Sequence, residues 1–196
     1  LIQVNRLYSS LVFPALVARI LVLYATIEGH TARIAERVAG RLRGAGHDVD
    51  LQPACEEADL HGYEAVMVGA SIHYGHHPAS LRTLLRRHRA ALAARPSAFF
   101  SVSLSAKERY LQRFLREVDW QPQATATFAG ALQYSKYGPV KRLVMRAFVT
   151  LTGRDTDMSR DYEYTDWDAV DRFSEAFARR SFADRHDSRA LSSQAG

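Results

Sequence analysis

Cysteine is almost absent from this chain. A single residue, Cys55, in 196 positions excludes an intrachain disulfide and any iron–sulfur or multi-cysteine metal site, and it suits a reducing compartment. Redox chemistry would therefore need a bound cofactor. No apolar stretch approaches the roughly 20 residues of a spanning helix. Two nucleotide signatures are also missing: the G-x-G-x-x-G of dinucleotide sites, and the G-x-x-x-x-G-K-[ST] that sets a lysine on a triphosphate. No internal repeat, heptad run or low-complexity block stands out.

What is present is the composition of one globular α/β domain, 47% hydrophobic and 24% charged, with length enough for a substantial core. A formal net charge of +5 favours anionic partners such as a membrane surface, nucleic acid or a carboxylate substrate, without choosing among them. Residues 1–17 carry no pattern that fits the fold and are expected to be an extension outside the domain. Cutting them as a signal peptide would leave almost nothing ahead of the first strand. There is no methionine before Met67, and Val17 is the expected start.

The chain is organised around residues 20–35, ILVLYATIEGHTARIA. Ile20 to Leu23 predict a strand buried on both faces, and an amphipathic helix follows with Ile34, Val38 and Leu42 at helical spacing. Between them lies a T-x-x-G-x-T turn. A helix start offers unpaired backbone N–H groups and a partial positive charge, so the hydroxyls of Thr26 and Thr31 and a close-approach Gly29 predict a phosphate site. An ordinary helix cap would use the same residues.

Further along, 47–52 reads as a short second strand and 64–70 (EAVMVGA) as a continuous apolar third strand for the sheet centre. The loop at 69–78, GASIHYGHHP, follows it. Gly69 and Gly75 are expected to permit tight turns and close backbone approach, and Tyr74 to lie against a flat ring. Three histidines, His73, His76 and His77, crowd this turn. With no Cys, Asp or Glu beside them, they read as a solvated, cation-friendly rim rather than a metal site. No metal is expected. Residues 79–94 predict one amphipathic helix whose arginines form a solvated face. No aromatics interleave them to stack on bases, so nucleic-acid binding is not expected.

A fourth strand, 97–104, ends in a polar loop at Ser101, Ser103 and Ser105. A helix at 107–119 and a fifth strand at 124–132 follow. Ligands of doubly wound sheets bind where such strand ends meet. Residues 133–165 interrupt the pattern for longer than an ordinary connection needs. Within them, 139–152 predicts a helix with Leu143, Val144, Phe148 and Leu151 on one side and Lys141, Arg142 and Arg146 flanking it. That face suits either a membrane surface or packing on the domain. A last helix is expected at 166–182, and a polar tail without structure at 183–196.

The motifs TIEGHT (26–31), GASIHYGHH (69–77), RPSAFFSVSLSA (95–106), FAGALQY (128–134) and TDMSRDYEYTDW (156–167) together resemble the menaquinone-dependent protoporphyrinogen IX dehydrogenases, flavodoxin-like enzymes of haem synthesis. The resemblance runs from about Arg19 to Phe182. It implies an α/β, flavodoxin-like, doubly wound five-stranded parallel sheet of order 2-1-3-4-5, forming a domain at 18–182 with 133–165 as an insertion after strand 5. It also implies FMN as cofactor, protoporphyrinogen IX as substrate and menaquinone as acceptor, on the inner face of the cell membrane.

Phosphate binding would fall to Thr26, Ile27, Glu28, Gly29, His30 and Thr31, and ring contact to Ser71, His73, Tyr74, Gly75, Ser103 and Leu104. Charge complementarity would set the substrate's propionates on Lys136, Lys141, Arg142 or Arg154. Where members often carry an arginine ahead of the loop tyrosine, this chain has His73. No acid–base pair is legible, so the flavin would carry the chemistry. A flavodoxin-type electron carrier and an NAD(P)H-dependent quinone reductase are the competing readings. A phosphoryl-receiving domain is disfavoured, because the third strand ends in Gly69-Ala70-Ser71 with no carboxylate.

Overall fold

In the computed structural model the described residues are 17–104, 106–132 and 161–192, with backbone alone described at Leu132 and from 183 to 192. Residues 1–16, Ser105 and most of the insertion lie outside them. So do Lys136, Lys141, Arg142, Arg154 and the whole of 139–152.

The elements follow in the order β1 (Arg19–Ala25), α1 (His30–Gly44), β2 (Asp48–Pro53), β3 (Ala65–Ser71), α2 (Ala79–Arg87), α3 (Arg89–Ala93), β4 (Ser97–Ser103), α4 (Glu108–Val118), β5 (Ala124–Ala129), β6 (Ala131–Leu132), β7 (Tyr162–Glu163) and α5 (Trp167–Ser192). Five strands form one sheet in the order β2-β1-β3-β4-β5, and every neighbouring pair is parallel. Parallel strands need crossover helices, which cover both faces. That is why the central strands read as unbroken apolar runs: β3 and β4 are each buried at their first six positions.

The helices divide into two layers. Ile34, Val38 and Leu42 of α1 pack with Val170 and Phe177 of α5 on one face, around Ile20, Met67 and Phe100. On the other face Leu81, Leu84 and Leu85 of α2 pack with Leu111, Phe114 and Leu115 of α4, around Leu21, Val68 and Phe99. Alternate residues of each strand thus feed opposite cores. Outside the first layer an ion-pair ladder joins α1 to the end of the chain. Arg37 takes Asp171 at 2.7 and 2.8 Å, Arg41 takes Glu175, and Arg33 takes Glu163 at 2.8 Å.

Four expectations are corrected. The helix expected at 79–94 is two pieces, since His88 (φ −97°, ψ 15°) leaves helical geometry while hydrogen bonds from His88 to Leu84 and from Leu92 to His88 bridge the kink. The strand expected at 124–132 ends at Ala129. There the Gly130 N–H bonds the Ser103 carbonyl at 3.0 Å, and Ala131 and Leu132 turn away to pair antiparallel with β7. The polar tail begins as helix, because α5 runs to Ser192; no Pro or Gly occurs from 183 to 192 to stop it. Finally, Gly69 lies inside β3 rather than in a turn. A Cβ there would fall 2.0 Å from the Phe100 ring, so packing demands the glycine.

Candidate functional site

Because β1, β3 and β4 are parallel neighbours, the turn after β1 and the loops after β3 and β4 leave the same edge of the sheet. The order reverses direction between β1 and β3, and crevices form at such a switch point.

The turn after β1 is closed locally. The Gly29 N–H donates to Thr26 Oγ1 at 2.9 Å, and Gly29 caps α1 at φ 88° with no side-chain cap. No acidic residue stands in the first turn of α1, so the positive end of its dipole is not offset from within. A Cβ added at Gly29 would meet nothing within 4 Å, which makes its positive φ, rather than crowding, the reason for glycine. Ile27 is 52% exposed and Glu28 half-buried, while Thr31 is buried beneath the turn.

His30 opens α1 and is buried. The Thr165 hydroxyl donates to the Ala129 carbonyl at 2.8 Å, so His30 Nε2–H is the donor in its 2.6 Å bond to Thr165 Oγ1. That leaves Nδ1 as a bare acceptor, buried and without a partner. Burial holds the imidazole below its usual pKa, with Glu163 opposing and Arg33 adding to the shift. The ring thus ties the turn to the end of β5 and to the chain's return from the insertion.

The loop after β3 is a tight hairpin. His73 and His76 exchange backbone hydrogen bonds at 2.9 and 3.0 Å, and Tyr74 (φ 48°) and Gly75 (φ 79°) between them both sit at positive φ, as a type I′ turn requires. A tyrosine there costs on the order of 1–3 kcal/mol. The strain projects its ring outward, 87% exposed, edge-on to His73 with centroids 4.3 Å apart.

Residues distant in sequence fix this hairpin. Arg113 of α4 donates to the Gly75 carbonyl, and the Tyr110 ring lies beside Gly75. His77 is buried between Phe99 and Phe114, at centroid distances of 5.4 and 4.5 Å. Its Nδ1–H donates to the Ser71 carbonyl at 3.1 Å, so Nε2 is left to accept from the Ser101 hydroxyl at 3.4 Å. Burial is the main cause that brings its pKa down to about 4, with Arg113 adding and the Ser71 bond opposing. His77 is therefore a neutral strut, which corrects the expectation that all three histidines line a solvated rim; His76 alone of them is exposed. Ser71 Oγ is buried with no partner.

The structure thus gathers Thr26 to Thr31, Ser71, His73, Tyr74, Gly75, Ser103 and Leu104 on one edge, with the Ser103 carbonyl also receiving the Gly130 N–H. Sequence reasoning missed Ser101, Arg113 and Thr165 as supports, because each acts across 24 residues or more. Chemically, the edge presents the start of α1, with no acid in its first turn, and the exposed Tyr74 ring beyond it. Among the described residues no group of three or more His, Cys, Asp or Glu is placed to hold a metal ion. No helix there is long and apolar enough to cross a membrane.

Comparison with known proteins agrees with this fold. The flavodoxin domain family matches residues 21–159. Similar sequences include the protoporphyrinogen IX dehydrogenase [quinone] of Leishmania major, 37% identical over 81% of this chain and 74% of that protein. The protein of the same name from Escherichia coli (strain K12) is 32% identical over 81% of this chain and 93% of its own. Among solved structures, oxidised Flavodoxin 2 from Bacillus cereus shares the fold, with a TM-score of 0.52, 19% identity and coverage of 83% of this chain and 99% of that one.

Proposed function

The chain belongs to the flavodoxin domain family, with the quinone-dependent protoporphyrinogen IX dehydrogenases, and from that premise we propose that it binds FMN and oxidises protoporphyrinogen IX to protoporphyrin IX with a quinone as acceptor. One observation carries the proposal. The start of α1, which carries no side-chain cap, and the outward Tyr74 hairpin open on the same edge, at the switch between β1 and β3.

The residues fit the cofactor. The α1 N-terminus, without acid in its first turn, suits a single phosphate, to be held by Thr26, Ile27, Glu28, Gly29, His30 and Thr31. Ser71, with its buried and unpartnered hydroxyl, would serve the ring together with His73, Tyr74, Gly75, Ser103 and Leu104. When bound, FMN supplies the two-electron redox chemistry. The chain's own residues would bind and orient it: Gly29 would let the backbone approach the phosphate and Tyr74 would lie against the ring, while Arg113 and His77 keep the Tyr74 hairpin in place. His77 holds its proton at Nδ1 throughout the physiological range, since its pKa is about 4.

The acceptor we propose is menaquinone, with the protein peripheral on the inner face of the cell membrane. The composition of 139–152, in which Lys141, Arg142 and Arg146 are interspersed with Leu143, Val144, Phe148 and Leu151, supports membrane contact; each cation adds about 1 kcal/mol near an anionic surface. Replacing 139–152 by a Gly/Ser linker should leave FMN bound while liposome binding and quinone-coupled turnover fall together. Persistence of both would remove the membrane reading. The enzyme itself is tested by the cofactor and the donor. Denaturation should release FMN, and porphyrinogen rather than NAD(P)H should be the reductant consumed. Rapid NAD(P)H oxidation would make it a quinone reductase, and no turnover with either would make it a carrier.

A further inference from the structure

The start of α4 borders the Tyr74 hairpin, and that border is cationic. From 107 to 117 the chain sets Lys107, Arg109, Arg113 and Arg116 against two carboxylates, Glu108 and Glu117, and Glu117 pairs with Arg113 at 3.6 Å. Arginines elsewhere in the described residues are largely engaged: Arg33, Arg37 and Arg41 pair with the acids of β7 and α5, Arg82 with Glu117 and Arg89 with Asp119. Neither Lys107 nor Arg109 is among these ion pairs of the described residues, and both are exposed.

The cluster is built onto the hairpin. The Arg109 Nη2 donates to the Tyr110 hydroxyl at 2.8 Å, and its guanidinium lies 4.7 Å from the centre of that ring. The Tyr110 ring in turn backs Gly75, where an added Cβ would come within 3.4 Å of it. Arg113, 5.7 Å from the same ring, holds the Gly75 carbonyl. The Tyr110 phenol is pulled below its usual range, first by the Arg109 hydrogen bond, against the opposing effect of burial, and then by the charges of Arg109, Lys107 and Arg113. Two cations outside the ion pairs of the described residues, Arg109 and Lys107, thus stand beside the hairpin that carries the exposed Tyr74 ring. That pairing suits an aromatic or pyrrolic ligand with carboxylates on flexible arms.

Resting on the proposed function, we infer that Arg109 and Lys107 form a carboxylate subsite that takes a propionate of the porphyrinogen while its macrocycle lies toward Tyr74. Arg109 is the principal contact, because its guanidinium is oriented by Tyr110 and presents a planar fork to a carboxylate. Lys107 adds a point charge.

The test compares ligands that differ only at the carboxylates. Protoporphyrin IX and its dimethyl ester are titrated by fluorescence into FMN-loaded wild-type protein, Arg109→Ala, Arg109→Lys and Lys107→Ala/Arg109→Ala, and KM is measured for the reduced forms of both. Loss of one charge-assisted contact predicts about tenfold weaker binding of the diacid to Arg109→Ala, a larger loss in the double variant and partial recovery in Arg109→Lys. Ester binding should move less than about twofold, because it has no charge to lose. If diacid and ester weaken equally, or neither weakens, the subsite is wrong while the enzyme reading stands. If wild-type protein neither binds nor oxidises porphyrinogen, both fall.

Discussion

The turn at 26–30 and the loop at 71–78 open on the same edge of the sheet, but they depend on distant residues to different degrees. The first is closed mainly by its own residues, through the Gly29 N–H on Thr26 Oγ1 and a glycine at φ 88°, with one distant tie from His30 to Thr165. The second is held from elsewhere: Ser101 of β4 bonds His77, Arg113 of α4 grips Gly75, and Phe99 and Phe114 enclose His77. A site for an invariant group such as a phosphate needs only a short local device. A surface proposed to meet ring and substrate is braced by a strand, β4, and a helix, α4.

If this contrast is right, the loop should fail at its distant supports, and the largest effect should come from His77. His77→Ala removes a buried ring packed on Phe99 and Phe114 and strands the Ser71 carbonyl and Ser101 hydroxyl. A loss of about 3–4 kcal/mol is expected in urea unfolding, with a weakened flavin signal. A loss under about 1 kcal/mol would mean that the loop does not depend on this strut.

The second effect is a pH dependence. Burial holds His77 at about 4 against 6.5 for the free side chain, because it disfavours the charged ring. Above pH 6.5 neither folded nor unfolded chain takes this proton, and the full stability is present. As pH falls from there toward 4, the unfolded chain gains a proton that the folded chain refuses, so stability drops by up to roughly 3 kcal/mol. Denaturant midpoints for wild type and His77→Gln should show this share of the acid loss only in the former. Parallel curves would contradict it.

Smaller effects belong to the local turn. Gly29→Ala meets no atom within 4 Å, so its cost is conformational, about 1 kcal/mol for a side chain at positive φ. FMN affinity should fall beyond what that loss explains. Thr26→Ala removes one hydrogen bond and should cost about 0.5–1 kcal/mol. If either matched His77→Ala, the two loops would not differ in this way.

The same contrast decides what could be read from the amino-acid order. The apolar runs that became β1, β3 and β4 and the spacing of Ile34, Val38 and Leu42 are local signals, and the T-x-x-G-x-T turn states its own geometry. The kink at His88 is not so marked, because 79–94 keeps one amphipathic pattern across it. Nor does any local rule separate His77 from His73 and His76: Phe99, Phe114 and Ser101 bury it, and only the register of β3 with β4 brings them near. Gly69 reads as a turn residue until Phe100 is placed across the sheet. Thr165 reaches His30 across 135 positions, and only the closing of β6 on β7 sets that distance.

On the function proposed, this edge holds FMN that takes electrons from protoporphyrinogen IX and releases them to a quinone. The direct measurement is an anaerobic titration of the FMN-loaded protein with protoporphyrinogen IX, followed by addition of a menaquinone analogue, with the visible spectrum recorded throughout. The account predicts loss of the oxidised flavin band as porphyrin absorbance rises, and return of that band when the quinone is added. A flavin band unmoved by porphyrinogen, yet lost on addition of NADPH, would contradict it.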